Sequence, residues 1–237
     1  MENQILEVSI VTSVKNEQAT IGILLDYVSK TLTNYNILHE IIVIDHNSTD
    51  KTEELLNQKK REITNLRVFK IRNSQIKLGQ ALQIGISNAI GQYIITLDGD
   101  LSHPVKYLPL FIEKMRDGHD LIIGGRYLKN QARFNPFSRY IISKLFNIIP
   151  KSLIHKQISD YTTGYRGFKR ILYQPNTYSA RDFDFHVEFN IRLVKNAQSP
   201  IELPINYVKR RSGESKLRYS RQFKGYLVGI FHGILKN

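Results

Sequence analysis

The sequence predicts an α/β protein: a mostly parallel, nucleotide-binding (Rossmann-like) sheet flanked by helices, with amphipathic helices towards its carboxyl end. Two observations predict the sheet. Short apolar, β-branched runs alternate with segments of helical periodicity through the first half, as βαβ units covered on both faces require. Several of those runs end in polar clusters, where open α/β sheets hold their ligands.

The elements follow in order. A strand at Val8–Val11 precedes a helix whose Ile21, Leu24, Leu25 and Val28 fall at i, i+3, i+4 and i+7. A strand at Ile41–Ile44 leads to Ser48-Thr49-Asp50, which with Glu53 and Glu54 reads as a helix start with acids in its first turn. Further strands are expected at Val68–Ile71, Tyr93–Leu97 and Leu121–Ile123. After Arg126 the rhythm changes. Phe137–Ile149 is amphipathic, with Arg139 and Lys144 among apolar residues, and Thr162–Tyr173 is rich in Gly, aromatics and Arg. A helix at Phe185–Ala197, a strand at Ile201–Val208, a basic loop at Lys209–Lys216 and a terminal amphipathic helix complete the chain. No repeat or linker interrupts it, so one domain is expected over 1–237, divided functionally near Arg126.

The 237 residues fit one large domain or two small ones. With 41% hydrophobic and 23% charged residues, the chain is not disordered, collagen-like or a coiled coil. Lys and Arg number 34 against 21 Asp and Glu, a net +13, which points to an anionic partner: nucleic acid, a phosphorylated substrate or an acidic membrane surface. No helix-turn-helix, zinc-finger or RNA-recognition signature accompanies that charge, so nucleic acid is not the expected partner. The absence of cysteine excludes disulfides, thiolate zinc sites and a cysteine nucleophile. No secretory signal is evident at the amino terminus, and no apolar run reaches the ~18 to 20 residues of a membrane span. A cytoplasmic protein is expected.

Three polar clusters fall at predicted strand ends: Asn16-Glu17, Asp45-His46-Asn47-Ser48-Thr49-Asp50, and Asp98-Gly99-Asp100. Parallel topology brings them to one edge. Asp98 and Asp100, two apart where strand becomes loop, can point the same way. Two hard oxygen donors suit Mg²⁺ or Mn²⁺, which bind through one or two carboxylates plus substrate phosphates; the competing reading is an ordinary Asp-Gly turn. Asp45 either caps the following helix or accepts hydrogen bonds from a nucleobase or ribose. His46 has no partner at metal-ligand spacing and is expected as a solvated loop residue.

Val8–Val11 ending in Asn16-Glu17, followed by Ile44-Asp45-His46-Asn47-Ser48-Thr49-Asp50, resembles the opening of family 2 glycosyltransferases of the GT-A fold. Lys77-Leu78-Gly79-Gln80-Ala81 ahead of Gly91-Gln92-Tyr93 is similar to that family's third landmark. Asp98-Gly99-Asp100-Leu101-Ser102-His103-Pro104 resembles the metal motif of the dolichyl-phosphate mannosyltransferases and related polyprenyl-phosphate glycosyltransferases. Gly124-Gly125-Arg126-Tyr127, Ser159–Arg166 and Gly213–Leu217 are similar to later motifs of that subgroup, in the same order. Ser13 departs from the family's usual proline, and His46-Asn47 from its common Asp-Gly.

The resemblance implies a nucleotide-sugar-binding half over 1–126 and an acceptor-binding, membrane-facing half over 127–237. Glu17 and Asp45 would hold the donor nucleoside, and Lys77 joins the substrate-binding set. Asp98 and Asp100 would bind Mg²⁺ or Mn²⁺ at the donor diphosphate. Arg126, Arg139, Ser143, Arg210 and Lys216 would surround the phosphate of a polyprenyl or dolichyl acceptor, with Asp98, Asp100, Arg126 and Arg210 as the catalytic set. A phosphomonoester is largely a dianion at neutral pH, so such an acceptor needs positioning rather than a general base. A hydroxyl acceptor, as in a glycan, needs one, and Asp160, Asp182 and Asp184 are its candidates. Phe137–Ile149 and Arg218–Leu235 fit interfacial helices. Lys209, Arg210, Arg211, Lys216, Arg218, Arg221 and Lys224 add attraction to anionic lipid, ~1 kcal/mol each near the surface. Action at the cytoplasmic face of a membrane is expected, directly or through a membrane-anchored partner. The alternative is that both helices simply pack onto the domain.

Overall fold

The computed structural model describes residues 6–128, 137–154, 157–208 and 219–235, with the side chains of 137–142 and 219–223 left aside. In chain order the elements are β1 (Val8–Val14), α1 (Ile21–Asn34), β2 (His39–His46), α2 (Thr52–Glu62), β3 (Leu66–Ile71), α3 (Leu78–Ser87) and β4 (Tyr93–Thr96). Then follow α4 (Leu108–Arg116), β5 (Leu121–Gly125), α5 (Phe137–Ile154), β6 (Arg166–Lys169), α6 (Asp184–Asn196), β7 (Pro200–Pro204) and α7 (Tyr219–Leu235). The strands form one seven-stranded sheet in the order β3-β2-β1-β4-β6-β5-β7. β1 runs parallel to β2 and β4, β2 to β3, and β5 to β7. β6 runs antiparallel to both of its neighbours.

Alternating side chains divide the core between the two faces. Val8, Ile10, Ile41, Val43 and Ile95 meet Ile21, Leu24 and Val28 of α1 and Phe111 and Ile112 of α4. Val11, Ile42, Ile44 and Ile94 meet Ala81, Leu82 and Ile86 of α3 and Phe185 and Phe189 of α6. Helix α6 is buried from Phe185 to Val194, and Glu188 and Asn190 on it find partners. Glu188 accepts the Ser179 and Ala180 amides at 3.1 and 2.7 Å, and Asn190 donates to the Tyr161 and Thr163 carbonyls at 2.9 and 3.0 Å.

Because β6 is antiparallel, its first residue, Arg166, pairs with Thr96 at the end of β4 and with Ile123 near the end of β5. The 157–165 segment therefore arrives at the edge where β1, β2, β4, β5 and β7 end. The polar clusters after β1, β2 and β4 lie on that edge.

Several boundaries differ from expectation. β6 was read only as a Gly-, aromatic- and Arg-rich stretch; four residues that bury an arginine carry no hydrophobic alternation. Helix α2 begins at Thr52, with Asp50 Oδ1 accepting the Thr52 N–H at 3.0 Å, because Ser48 is turned away to Asn16. β2 extends to His46, which pairs with Ile71 and is buried rather than solvated. β7 stops at Pro204, where its partner β5 ends at Gly125. Helix α5 continues through Pro150 to Ile154.

Helices α5 and α7 share one design. Helix α7 packs against α6 along Gly225, Gly229 and Gly233: a Cβ at Gly229 would lie 3.0 Å from the Asp184 carbonyl, and one at Gly233 2.8 Å from Ile191. Phe146 of α5 meets Tyr226 of α7 with ring centroids 4.9 Å apart. Their other faces are open: Leu145, Ile148, Ile149 and Leu153 on α5, and Leu227, Val228, Phe231 and Leu235 on α7, are all exposed. Among the described residues no helix is long and apolar enough to cross a membrane.

At the opposite end of the sheet β4 is pinned by a buried acid. Glu40 accepts the Ser9 hydroxyl at 2.6 Å, the Ile90 amide at 2.8 Å and Arg67 Nη1 at 2.6 Å. The Gly91 amide donates to Ser9 Oγ at 2.9 Å. A Cβ at Gly91 would lie 2.6 Å from Ser9 N and 2.7 Å from Val8 C, backbone atoms that cannot swing aside. Gly91→Ala should therefore destabilise the protein by about 1–3 kcal/mol. The check is a lowered denaturant midpoint with an unchanged m value.

Candidate active site

The acidic half rests on laced loops. After β1, Asn16 adopts φ 53°; its amide donates to Ser48 Oγ at 2.9 Å and its Oδ1 accepts the Thr49 amide at 2.7 Å. The Glu17 amide donates to Thr52 Oγ1 at 2.8 Å, and Lys51 N–H donates to Gln18 Oε1 at 3.0 Å. Asp45, at the end of β2, is buried. One oxygen accepts the Ser48 amide at 3.1 Å, while Oδ2 is without a hydrogen-bond partner. That acceptor is suited to a donor arriving from outside the fold.

Asp98-Gly99-Asp100 follows β4 on the same edge. Gly99 lies against Val14 and Glu17: a Cβ on it would be 2.6 Å from Val14 Cγ1 and 3.8 Å from Glu17 Cγ. Asp100 Oδ1 accepts the Ser102 amide at 3.0 Å, and Leu101 between them takes the left-handed φ of 65°, a conformation that costs a leucine roughly 1–2 kcal/mol. The Asp98 amide donates to His103 Nδ1 at 3.0 Å, so the ring carries its proton on Nε2. Burial lowers the basicity of His103 and keeps it neutral. Its ring stacks on Tyr165 at 5.0 Å and meets the edge of Tyr207 at 5.7 Å. The Asp98 side chain is 40% exposed, yet the protein crowding around it raises its carboxyl above the usual range, and the charge of Asp100 adds to this. Among the described residues no group of three or more His, Cys, Asp or Glu could enclose a metal ion. Two carboxylates, one open to solvent, match a cation completed by phosphate oxygens and water.

The cationic half starts at the end of β5. Arg126 forms a fork with buried Asp160, Nε to Oδ2 at 2.7 Å and Nη2 to Oδ1 at 2.8 Å, and its own amide donates to Oδ2 at 3.2 Å. Nη2 also donates to Thr162 Oγ1 at 2.6 Å. Ser143, on α5, joins Thr162 Oγ1 at 2.9 Å and receives the Tyr127 hydroxyl. Burial raises the Tyr127 phenol to about 12, leaving it a neutral donor. Behind Asp98, the buried Arg166 guanidinium is held by Thr96 Oγ1 at 3.1 Å, Asn190 Oδ1 at 2.6 Å and the His186 ring. Burial pulls it down to about 9, still cationic at neutral pH.

Tyr207 joins the two halves. The Arg126 guanidinium lies 5.7 Å from its ring centroid, and its hydroxyl, raised by burial, senses the charges of Asp100 and Asp98. The charge of Arg126 in turn acts on Asp98. Of the expected residues, Glu17, Asp45, Asp98, Asp100, Arg126 and Ser143 all lie on this edge. Lys77 directly precedes α3 after the end of β3, and its charge, like that of Lys15 after β1, acts on Asp182. Arg139 stands on α5 with its side chain outside the described residues, and Arg210 and Lys216 also lie outside them. Asp160, a candidate base, is committed to Arg126. Asp182, raised by burial, donates its amide to Asp184 Oδ1 at 2.8 Å. His103, Tyr207 and Arg166 are not among the residues expected from the sequence. His103 and Arg166 lie inside motifs of the family resemblance, whereas Tyr207 lies outside them.

Known proteins are similar to this chain in sequence and in fold. The sequence model of glycosyl transferase family 2 matches residues 9–175. The chain is 29% identical over 232 residues to a protein of Pyrococcus furiosus named dolichol-phosphate mannosyltransferase, covering 95% of this chain and 63% of that protein's length. Glucosyl-3-phosphoglycerate synthase of Mycobacterium tuberculosis shares the fold. Its complex with Mn²⁺, UDP-glucose and phosphoglyceric acid superposes with a TM-score of 0.68 at 16% identity, over 96% of this chain and 79% of that one. Its complex with phosphoglyceric acid gives 0.67 at 18% identity, over 96% and 80%.

The raised carboxyl of Asp98 has a signed consequence. Its neutral form is favoured in the folded protein, so without a cation this group destabilises the fold as pH rises from its ordinary value through the raised one. Asp98→Asn should raise the melting temperature of the metal-free protein at neutral pH. It should also abolish the added thermal stability given by Mn²⁺ with a nucleoside diphosphate. A variant that keeps that increment contradicts a role for Asp98 in holding the cation.

Proposed function

The chain belongs to glycosyl transferase family 2 and is a glycosyltransferase; on that premise we propose that it moves a hexose from a nucleotide sugar, GDP-mannose or a UDP-hexose, to the phosphate of a polyprenyl or dolichyl lipid, inverting the anomeric carbon. The observation that carries this reading is the placement of Asp98, Asp100 and Arg126 around Tyr207. The likeness to the Pyrococcus protein supports the lipid-phosphate acceptor, and the chain spans under two thirds of that relative's length.

In this reading residues 1–126 bind the donor and 127–237 the acceptor. Asp45 Oδ2 accepts a hydrogen bond from the nucleobase or ribose, and Glu17 flanks it. Asp98 and Asp100 hold Mg²⁺ or Mn²⁺, which when bound neutralises charge developing on the leaving diphosphate. His103 keeps the Asp98 backbone in place. Arg126 with Arg139, Ser143, Arg210 and Lys216 receives the acceptor phosphate through charge, since the Arg126 Nε and Nη2 fork is itself held by Asp160. A phosphate oxygen attacks the anomeric carbon as the bond to the diphosphate breaks. The dianion brings no proton to remove, so Asp160 is free to serve Arg126 as a fixed counter-charge.

The fold neighbours support a second reading, transfer to a glycan or other hydroxyl, since one of them is described with glucosyl-3-phosphoglycerate, Mn²⁺ and UDP. That chemistry needs a base, and Asp182 is the acid raised towards that role. Assays of sugar transfer to undecaprenyl phosphate against a panel of hydroxyl acceptors decide between the two. The expected outcome is transfer to the lipid phosphate only. Arg210→Glu should abolish it, and Asp98→Ala or Asp100→Ala should reduce it by two orders of magnitude or more, in the range of losing a main charge-stabilising group, about 10²–10³.

A lipid acceptor requires a surface that meets the bilayer. The open faces of α5 and α7 supply eight large exposed apolar residues, with Lys144, Lys151 and Lys224 on the same helices, as interfacial helices require. On this reading the enzyme works peripherally at the cytoplasmic face, alone or with a membrane-anchored partner. Vesicles with anionic lipid should sediment the protein, and Ile148→Asp with Phe231→Asp should release it while leaving nucleotide binding unchanged. Equal binding by the double variant would remove these helices from the role.

A further inference from the structure

Beneath the cationic half lies a carboxylate that the reaction does not use. Glu202 stands on β7 opposite Ile123, and its side chain crosses over Gly125, where a Cβ would lie 2.0 Å from Glu202 Oε1 and 2.6 Å from its Cδ. Glycine at this position leaves room for the carboxylate. There it accepts both donors of Ser159: the amide at one oxygen and, at 2.8 Å, the hydroxyl at the other. The next residue is Asp160, whose oxygens hold Arg126 by its amide, Nε and Nη2. A continuous path of short contacts thus runs from β7 to the guanidinium.

We propose that Glu202 is a positioning residue for Arg126, acting through Ser159 and Asp160, so that the acceptor's phosphate is bound well only while both Glu202 oxygens hold Ser159. This rests on the reading of Arg126 as a ligand of that phosphate. An ionised carboxylate accepts at both oxygens, whereas a protonated one must place a hydroxyl and surrenders one of those positions. Burial lifts the Glu202 carboxyl to about 7; the charge of Asp160 pushes the same way, while the Ser159 hydrogen bonds and Lys151 oppose. Asp160, Lys151 and the phenol of Tyr161 are the titratable groups that act on it or respond to it. The relay is engaged above neutrality and loosens below it.

The test compares wild type with Glu202→Gln, whose amide offers Ser159 one acceptor instead of two, between roughly pH 5.5 and 8.5, a range that brackets the raised carboxyl. In wild type the KM for undecaprenyl phosphate should rise several-fold as pH falls through about 7, while the KM for the nucleotide sugar stays constant. Glu202→Gln should show the high acceptor KM throughout. The acceptor's own second ionisation, near ~6, is common to both proteins and cancels in their ratio. Ser159→Ala, which removes only the hydroxyl donor, should give a smaller rise. In ¹⁵N-arginine spectra the Arg126 Nε–H signal, identified by its loss in Arg126→Lys, should titrate with the same midpoint in wild type and stay flat in Glu202→Gln. A signal indifferent to Glu202, or donor and acceptor KM values that move together, overturns the proposal. If wild type transfers nothing to the lipid phosphate while the signal still titrates through Glu202, the acceptor assignment fails and the relay stands.

Discussion

Asp160 has no exposed surface, and its two oxygens accept the Arg126 amide, the Arg126 fork, and the amide and hydroxyl of Thr162. An isolated carboxylate could not be buried there; ion pairing and complete hydrogen bonding offset the loss of hydration. The pair joins the end of β5 to the segment that precedes β6, and Thr162 passes the link on to Ser143 of α5. Removing either partner would leave the other charge stranded. The cationic half of the cleft is therefore part of the fold's own construction.

The acidic half is built differently. Beside its carboxylates His103, held neutral by burial, accepts the Asp98 amide. Leu101 is held in a left-handed conformation directly after Asp100. Burial and the charge of Asp100 raise the Asp98 carboxyl beside a strained turn, and a cation would relieve the former. Aromatic stacking of Phe111 on Tyr165 at 4.6 Å, and of Tyr165 on His103, supplies the rigidity. Stability and chemistry are in tension at this edge, as expected of a site that awaits a charged ligand.

The two-sided character of α5 and α7 follows from their sequence in a way that an amphipathic pattern alone conceals. Three glycines at i, i+4 and i+8 let α7 approach α6 closely, and Tyr226 and Ile230 are buried beside them. Leu227, Val228, Phe231 and Leu235 of the same helix are exposed. Packing on the domain and meeting a lipid surface, alternatives at the level of periodicity, are compatible on one helix.

The sequence by itself determined the α/β class, the parallel strands β1 to β5 and the polar clusters at their ends, because local periodicity and strand-end position are properties of contiguous residues. It also carried the motifs around Asp98 and Asp160. What it could not determine was the pairing that assembles them: β6 entering antiparallel between β4 and β5, Asp160 taken up by Arg126, Tyr207 bridging acid and base, and Lys77 acting on Asp182 by its charge. These depend on contacts between residues 34 to about a hundred positions apart, and only tertiary structure brings such groups together. Arg166 makes the same point from the other side: a charged side chain is fully buried here, because specific distant partners make its burial possible.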